Sequence, residues 1–294
     1  MKKPLFFILL LVSSFTFSNE WQDQKASFQE KGYLWIKNFF SKEQVLLLQN
    51  WTETIYSDAQ TLINLPENKR PSGALIVVPE AKNRTQVCRT EDMLSLYPEL
   101  YHFIQGTITS YLTHLFGEPY VLFKDKLNFK WPGGGAFTPH QDFPAFELFG
   151  PREHITAMVC IDAATIQNGC LYIAEDWKKD FENDPSIDGK MLQEGSVVLP
   201  YVIGGKDHGS IQPQYAKKVT WLPLKTSPGD LVIFTSFVPH YSEINNSTSP
   251  RRAMFFTLNK LSEGEHRIAY YHTKRADPHN PVFHFATPTK ARTK

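Results

Sequence analysis

The chain has 294 residues, 41% of them hydrophobic and 14% aromatic, enough for one large core or two smaller ones. Lys and Arg number 31 against 30 Asp and Glu, so the net charge is +1 and no global charge recruits nucleic acid or an anionic membrane. Neither an internal repeat nor a low-complexity segment is present.

The first residues carry a targeting pattern. Lys2 and Lys3 precede an uncharged apolar run over 4–17, and Thr16-Phe17-Ser18 sets small residues on either side of a large one. This predicts a secretory signal peptide over 1–18, cleavage before Asn19, and residues 19–294 as a single exported domain, periplasmic or secreted. A membrane span needs about 20 apolar residues, so no stable span is expected in the mature chain. The alternative is a cytoplasmic protein whose first residues form a packed helix. Cys88, Cys160 and Cys170 favour that alternative. They are odd in number and lack CxxC spacing, so they make neither a zinc site nor a disulfide framework. Cys160 and Cys170 lie in apolar runs and read as small core residues.

A short amphipathic helix is expected over 21–31, then a strand over 32–37. Ser41-Lys42-Glu43-Gln44 is a capping box, with Phe40 and Val45 placed as a hydrophobic staple. The helix it opens carries Leu48, Trp51, Ile55, Ala59 and Leu62 at three- and four-residue steps. Residues 64–90, rich in Pro, Asn and Arg, read as loop; Arg84 and Arg89 either face an acidic ligand or are solvated there. A second helix is predicted over 98–116, ended by Gly117. Strands follow at 119–130, 154–163, 169–174, 219–224, 230–238 and 252–259, separated by Pro-Gly, Gly-Gly and Asn-Gly turn signals. Long helices followed by many strands predict an α+β chain with a mainly β core: a double-sheet barrel or jelly roll with flanking helices.

The chemistry centres on Thr138-Pro139-His140-Gln141-Asp142-Phe143. On a strand, His140 and Asp142 point to one face, where an imidazole and a carboxylate can hold a divalent metal together. His240, ending the apolar run over 231–239, is the candidate third ligand. Two His and one Asp form the facial triad of non-haem Fe(II) oxygenases, with open positions for cosubstrate and oxygen. His-x-Asp alone is common, and a surface loop is its other reading. Lys124, Lys126, Asn128 and Lys130 share a strand parity; their face either lines a cavity for an anionic ligand or is solvated. Arg251 follows His240 by 11 positions across a polar turn, so a hairpin brings it back beside His240. Its planar fork suits a carboxylate, although a pair of surface arginines also fits Arg251-Arg252.

Together these segments resemble the phytanoyl-CoA dioxygenase family of Fe(II)/2-oxoglutarate oxygenases. The matching stretches are Gly32–Ser41, Leu127–Gly133, His140-Gln141-Asp142, Asn168–Ile173, Pro228–Phe234 and His240 through Arg251. The resemblance implies a double-stranded β-helix of the cupin-like jelly-roll type, with Fe(II), 2-oxoglutarate and O2 as cofactor and cosubstrates. It implies His140, Asp142 and His240 as iron ligands and Arg251 on the far carboxylate of 2-oxoglutarate. Asn128, as in ectoine hydroxylases, and Gln141 are further candidates for contact with 2-oxoglutarate. The implied reaction hydroxylates a C–H bond of a small, polar organic substrate and releases succinate and CO2. The lysine-rich strand and the tail over 263–275 look like a bacterial subgroup that includes hydroxylases of aminoalkylphosphonates. Where family members continue with Pro-Gly-Ser-His, this chain has Ala174-Glu175-Asp176-Trp177, so the substrate does not carry over from the family at large. Rival classes are a non-catalytic or metal-binding jelly-roll protein and a metal-dependent hydrolase.

Overall fold

The computed structural model describes residues 21–66, 69–80, 83–278 and 280–284; the expected signal peptide and its cleavage site lie outside these residues. Among the described residues eleven strands form two sheets. The larger contains β1 (Tyr33–Ile36), β9 (Leu231–Thr235), β6 (Ile155–Cys160), β11 (Arg251–Lys260), β4 (Tyr120–Lys130), β3 (Val87–Glu91) and β2 (Ile76–Pro79), in that order. The smaller runs β5 (Phe137–His140), β10 (His240–Ser242), β7 (Leu171–Ala174) and β8 (Trp221–Leu224). Every ladder is antiparallel, as the many short strands and tight turns predict. This is the mainly β architecture with flanking helices expected above.

Strand alternation divides the core in two. Ile155, Ala157 and Val159 of β6 and Leu231 and Ile233 of β9 join the cluster under the helices. Met158, Cys160, Val232 and Phe234 belong to a second cluster between the sheets, with Leu171 and Ile173 from β7. Helix 42–63 starts at the expected capping box. The Gln44 N–H donates to Ser41 Oγ at 3.3 Å, and the Ser41 N–H donates to Gln44 Oε1 at 2.9 Å. Its Leu48, Ile55 and Ala59 are buried against the larger sheet.

The helix over 98–116 buries Leu100, Ile104, Ile108, Leu112 and Leu115. Steps of four in an ideal α-helix drift by about 40° each, because a turn holds 3.6 residues. A π turn at Gln105–Thr109 takes up that drift and keeps the row on one face. Gly117 ends the helix at φ 76°, the left-handed conformation that a Cβ disfavours.

Three features depart from the sequence reading. Residues 64–90 contain β2 and β3, so Arg89 lies in a fully buried strand. The helix Arg267–Ala276 packs its Tyr270, Tyr271 and Lys274 against β4. Finally, the register of β4 against β11 slips at Phe123, since Thr257 faces Lys124 while Leu258 faces Leu122. The extra residue is a bulge. It lets Leu122 face the helices while Lys124 and the even positions beyond it face the other sheet. All three cysteines are free and buried.

Candidate active site

β10 pairs with β5 so that His240 stands opposite His140, and the two ring centroids lie 4.2 Å apart. Neighbouring strands lie about 4.8 Å apart, so direct cross-strand partners are a natural way to bring two imidazoles to one point. Asp142 arrives differently from the expectation. β5 ends at His140, and Asp142 has the αR conformation (φ −75°, ψ −28°) at the start of the short helix Phe143–Phe146. Pro144 in that helix's first turn and a 2.9 Å bond from the Phe143 N–H to the Ser236 carbonyl set the turn. His140 and Asp142 are therefore not two positions of one strand. The turn still swings the carboxylate inward: Oδ1 is 3.8 Å from His140 Nε2 and Oδ2 is 4.0 Å from His240 Nε2. One ligand atom from each of the three residues lies within 4.8 Å of the others.

The hydrogen bonds fix which ring nitrogen is free. His140 Nδ1 lies 2.7 Å from the Thr138 carbonyl and His240 Nδ1 lies 3.0 Å from the Val238 carbonyl. A carbonyl only accepts, so each Nδ1 carries the proton and each Nε2 offers its lone pair to the centre. Burial pushes His140 down to about 3, with His240 adding to the fall, and it lowers His240 as well. Burial works to raise Asp142, but His240, Lys126 and His140 outweigh it and hold the carboxyl at about 2. At neutral pH the centre thus presents two neutral imidazoles and one carboxylate. That donor set fits a divalent first-row metal in a facial triad.

Arg251 faces the same interior from the opposite sheet. Its strand neighbours of like parity, Ala253 and Phe255, belong to the core between the sheets. The expected hairpin with His240 is absent: β10 and β11 lie in different sheets, and the connection over 243–250 crosses between them. Asn245 holds that crossing, donating to the carbonyls of Lys130 at 2.9 Å and Ser249 at 2.8 Å. Arg251 is 5% exposed; among the described residues its Nε has no hydrogen-bond partner, and Asn128 Oδ1, two positions along the neighbouring strand, has none either. Buried polar atoms left open in this way suit a bound polar ligand. Arg252 points to the other face. Its Nε and Nη2 donate to Asp162 at 2.7 and 2.9 Å, and its Nη1 donates to Glu53.

Gln141 has another task. Its amide donates to the Val197 carbonyl at 3.0 Å and to the Phe237 carbonyl, and its oxygen accepts from the Leu199 N–H at 2.7 Å. Both amide hydrogens and the oxygen are engaged with backbone, so no capacity is left for a direct donor contact to 2-oxoglutarate. Gln141→Ala is expected to lower stability by about 2–4 kcal/mol, since it strands buried backbone groups. Urea unfolding beside a 2-oxoglutarate titration checks this; a large affinity loss at unchanged stability would return Gln141 to the cosubstrate.

The lysine-bearing face of β4 lines the interior rather than meeting solvent. Lys124, Asn128 and Lys130 are buried, and Lys130 donates to Ser242 Oγ at 2.7 Å. Opposite them on β3, Arg89 pairs in register with Asn128 and Glu91 with Lys126. The Phe146 ring lies under Lys124, and Phe149 packs on Tyr270. Phe143 stacks on Phe237 at 4.4 Å. Glu91, Tyr270 and Lys274 were not singled out in the sequence as site residues. The one available signal was the charged and aromatic tail over 263–275.

The profile of the phytanoyl-CoA dioxygenase (PhyH) family matches residues 28–253. The chain belongs to the phytanoyl-CoA dioxygenase family. Among curated relatives of this dioxygenase, it is 36% identical over 260 residues to the 2-aminoethylphosphonate dioxygenase of uncultured bacterium HF130_AEPn_1, covering 86% of this chain and 87% of that one. It is 32% identical over 257 residues to the methylphosphonate hydroxylase of Gimesia maris, covering 86% and 85%. In fold it resembles EctD from S. alaskensis, solved with 2-oxoglutarate and 5-hydroxyectoine, with a TM-score of 0.64 at 18% identity over 82% of this chain and 76% of that one.

Proposed function

We propose that this dioxygenase hydroxylates a C–H bond of a small organophosphonate, with Fe(II), 2-oxoglutarate and O2, and releases succinate and CO2. The observation that carries the reading is the His140–Asp142–His240 cluster, its two histidines buried and both Nε2 lone pairs turned to one centre. The two phosphonate-oxidising relatives supply the substrate class.

His140, Asp142 and His240 would hold the iron. The iron and 2-oxoglutarate together supply oxidative decarboxylation coupled to oxygen insertion. The chain's own part is placement. Arg251 offers two parallel donors to the far carboxylate of 2-oxoglutarate, and Asn128 beside it offers a polar contact. The Thr138 and Val238 carbonyls hold both imidazoles in the right tautomer. Phe146, Phe255 and Tyr270, all buried, keep water from the reacting centre.

The test is succinate formation by iron-loaded protein with 2-aminoethylphosphonate, methylphosphonate or an acyl thioester. Stimulation by a phosphonate is expected. Stimulation by the thioester alone overturns the substrate class, and no 2-oxoglutarate turnover under any condition overturns the reaction.

Export remains part of the proposal, on the strength of Lys2, Lys3, the apolar run and the small-residue site before Asn19. Among the described residues no helix is long and apolar enough to cross a membrane. Amino-terminal sequencing of protein from the native cell is expected to begin at Asn19. Chains that keep Met1 in a soluble cytosolic fraction overturn export.

A further inference from the structure

Charge does not balance between the sheets. Arg89 on β3, Lys124 and Lys126 on β4, and Lys274 on the C-terminal helix stand around one carboxylate, Glu91. Arg89 Nε lies 2.8 Å from Glu91 Oε1 and Lys274 Nζ lies 2.5 Å from Oε2, so both oxygens are taken. Asp142, the next carboxylate, belongs to the metal cluster.

Lys124 and Lys126 have no hydrogen bond and no ion pair among the described residues. Their ammonium groups meet aromatic faces instead. Lys124 Nζ lies 4.9 Å from the Phe146 centroid and 5.3 Å from that of Tyr270; Lys126 Nζ lies 4.7 Å from that of Phe255. Lys124 is 8% exposed. A buried ammonium without an anion is costly, and ring faces return only part of what water gave.

Register shows where this end lies. Along β4, Lys126 stands between Glu91 of β3 and Phe255 of β11, while Lys130 stands opposite Arg251. Four residues separate Lys126 from Lys130, about 13 Å along a strand. The inner face therefore has two cationic ends. One carries the Arg251 fork, suited to a flat carboxylate. The other carries two ammonium groups, compact point charges suited to a tetrahedral oxyanion.

We propose that Lys124 and Lys126 are the receptor for the substrate's phosphonate group and set a preference for a dianionic head group. The inference rests on the phosphonate reading above and names the side chains that would enforce it. Their electrostatics agree: burial pushes Lys126 down to about 8 against the pull of Asp142, with Lys124 adding to the fall. A bound dianion would reverse that fall. Arg89 and Lys274, both held by Glu91, form the wall rather than the receptor.

The test uses full-length, iron-loaded protein with methylphosphonate and its monomethyl ester, which carries one charge fewer. Wild type is expected to favour the dianion by at least about tenfold in kcat/KM. Lys126→Met and Lys124→Met are each expected to raise the methylphosphonate KM at least about 30-fold, the loss of one charge-assisted contact, and Lys126→Arg to recover part of it. Neither methionine variant is expected to lower Tm, because the lost cation had no ion-pair partner and the new side chain is apolar and can pack on the same rings.

A methylphosphonate KM within about threefold of wild type in both methionine variants overturns the receptor. So does a drop in Tm of more than about 3 °C with KM unchanged, which marks a structural role. If a methionine variant cannot be prepared folded, the ester comparison in wild type decides, and absence of discrimination overturns the receptor. Wild type that binds methylphosphonate without consuming 2-oxoglutarate supports the receptor and overturns the reaction instead.

Discussion

Iron binding and turnover are both expected to be lost in His140→Ala and in His240→Ala. Each substitution removes one of three ligand atoms that lie within 4.8 Å of one another. Weakening only an outer partner of a metal ligand typically costs 10- to 100-fold in affinity, so loss of a ligand is expected to exceed about 100-fold. Stoichiometry should fall from about one iron per chain to background in a facial-triad site. Asp142→Asn is a finer probe, because it keeps the shape and removes the charge. Protein-bound iron after desalting, and succinate release at saturating 2-oxoglutarate, are the measurements. Full activity in either alanine variant removes that histidine from the site.

The second large effect separates two adjacent arginines. Arg251→Ala is expected to weaken 2-oxoglutarate by about 2–4 kcal/mol, roughly 30- to 1000-fold, since it would delete the proposed two-bond contact in a desolvated place. Arg251→Lys keeps the charge but not the fork and is expected to recover only part. Arg252→Ala is expected to leave the 2-oxoglutarate KM within about threefold, because that side chain lies on the opposite face of β11. Its cost appears elsewhere. Arg252 holds Asp162 with two bonds and reaches Glu53 of helix 42–63, so its loss should lower stability by about 1.5–3 kcal/mol. A large cosubstrate defect in Arg252→Ala with none in Arg251→Ala would shift the assignment by one residue and undo the reading of this strand.

Several parts of this site were legible in the sequence because they depend on short-range geometry. The alternation of Lys124, Lys126, Asn128 and Lys130 needs only the two-residue period of a strand. The capping box at Ser41 and the glycine stop at position 117 are local chemistry. Arg251 was singled out by its distance from His240 and does face the interior, although the expected hairpin is a crossing between sheets. Other parts depend on contacts that no local pattern carries. Lys274 reaches Glu91 across 183 residues, and Tyr271 Oη donates to the Asp125 carbonyl across 146. The task of Gln141 is set by backbone at 197–199, a segment with no regular strand of its own. The αR turn at Asp142 broke the same-strand expectation for the candidate ligand pair, yet the tripeptide still brings His140 and Asp142 together.

The carboxyl-terminal helix has a consequence for how such enzymes diverge. Arg267 and Arg275 clamp it to Asp92, Arg267 also binds Asp125, and Lys274 meets Glu91. It lies beyond residue 253, where the family profile ends, while all three ligands of the metal cluster lie before that point. The candidate metal ligands and proposed receptor lysines thus lie in one stretch of chain, and the wall that backs those lysines comes from another. A change of tail would alter the wall beside Lys124, which includes the Tyr270 ring, and leave the three candidate metal ligands in place. A graft of residues 261–284 between relatives is the natural unit of exchange, provided that Asp92, Glu91 and Asp125 travel with it as its sockets.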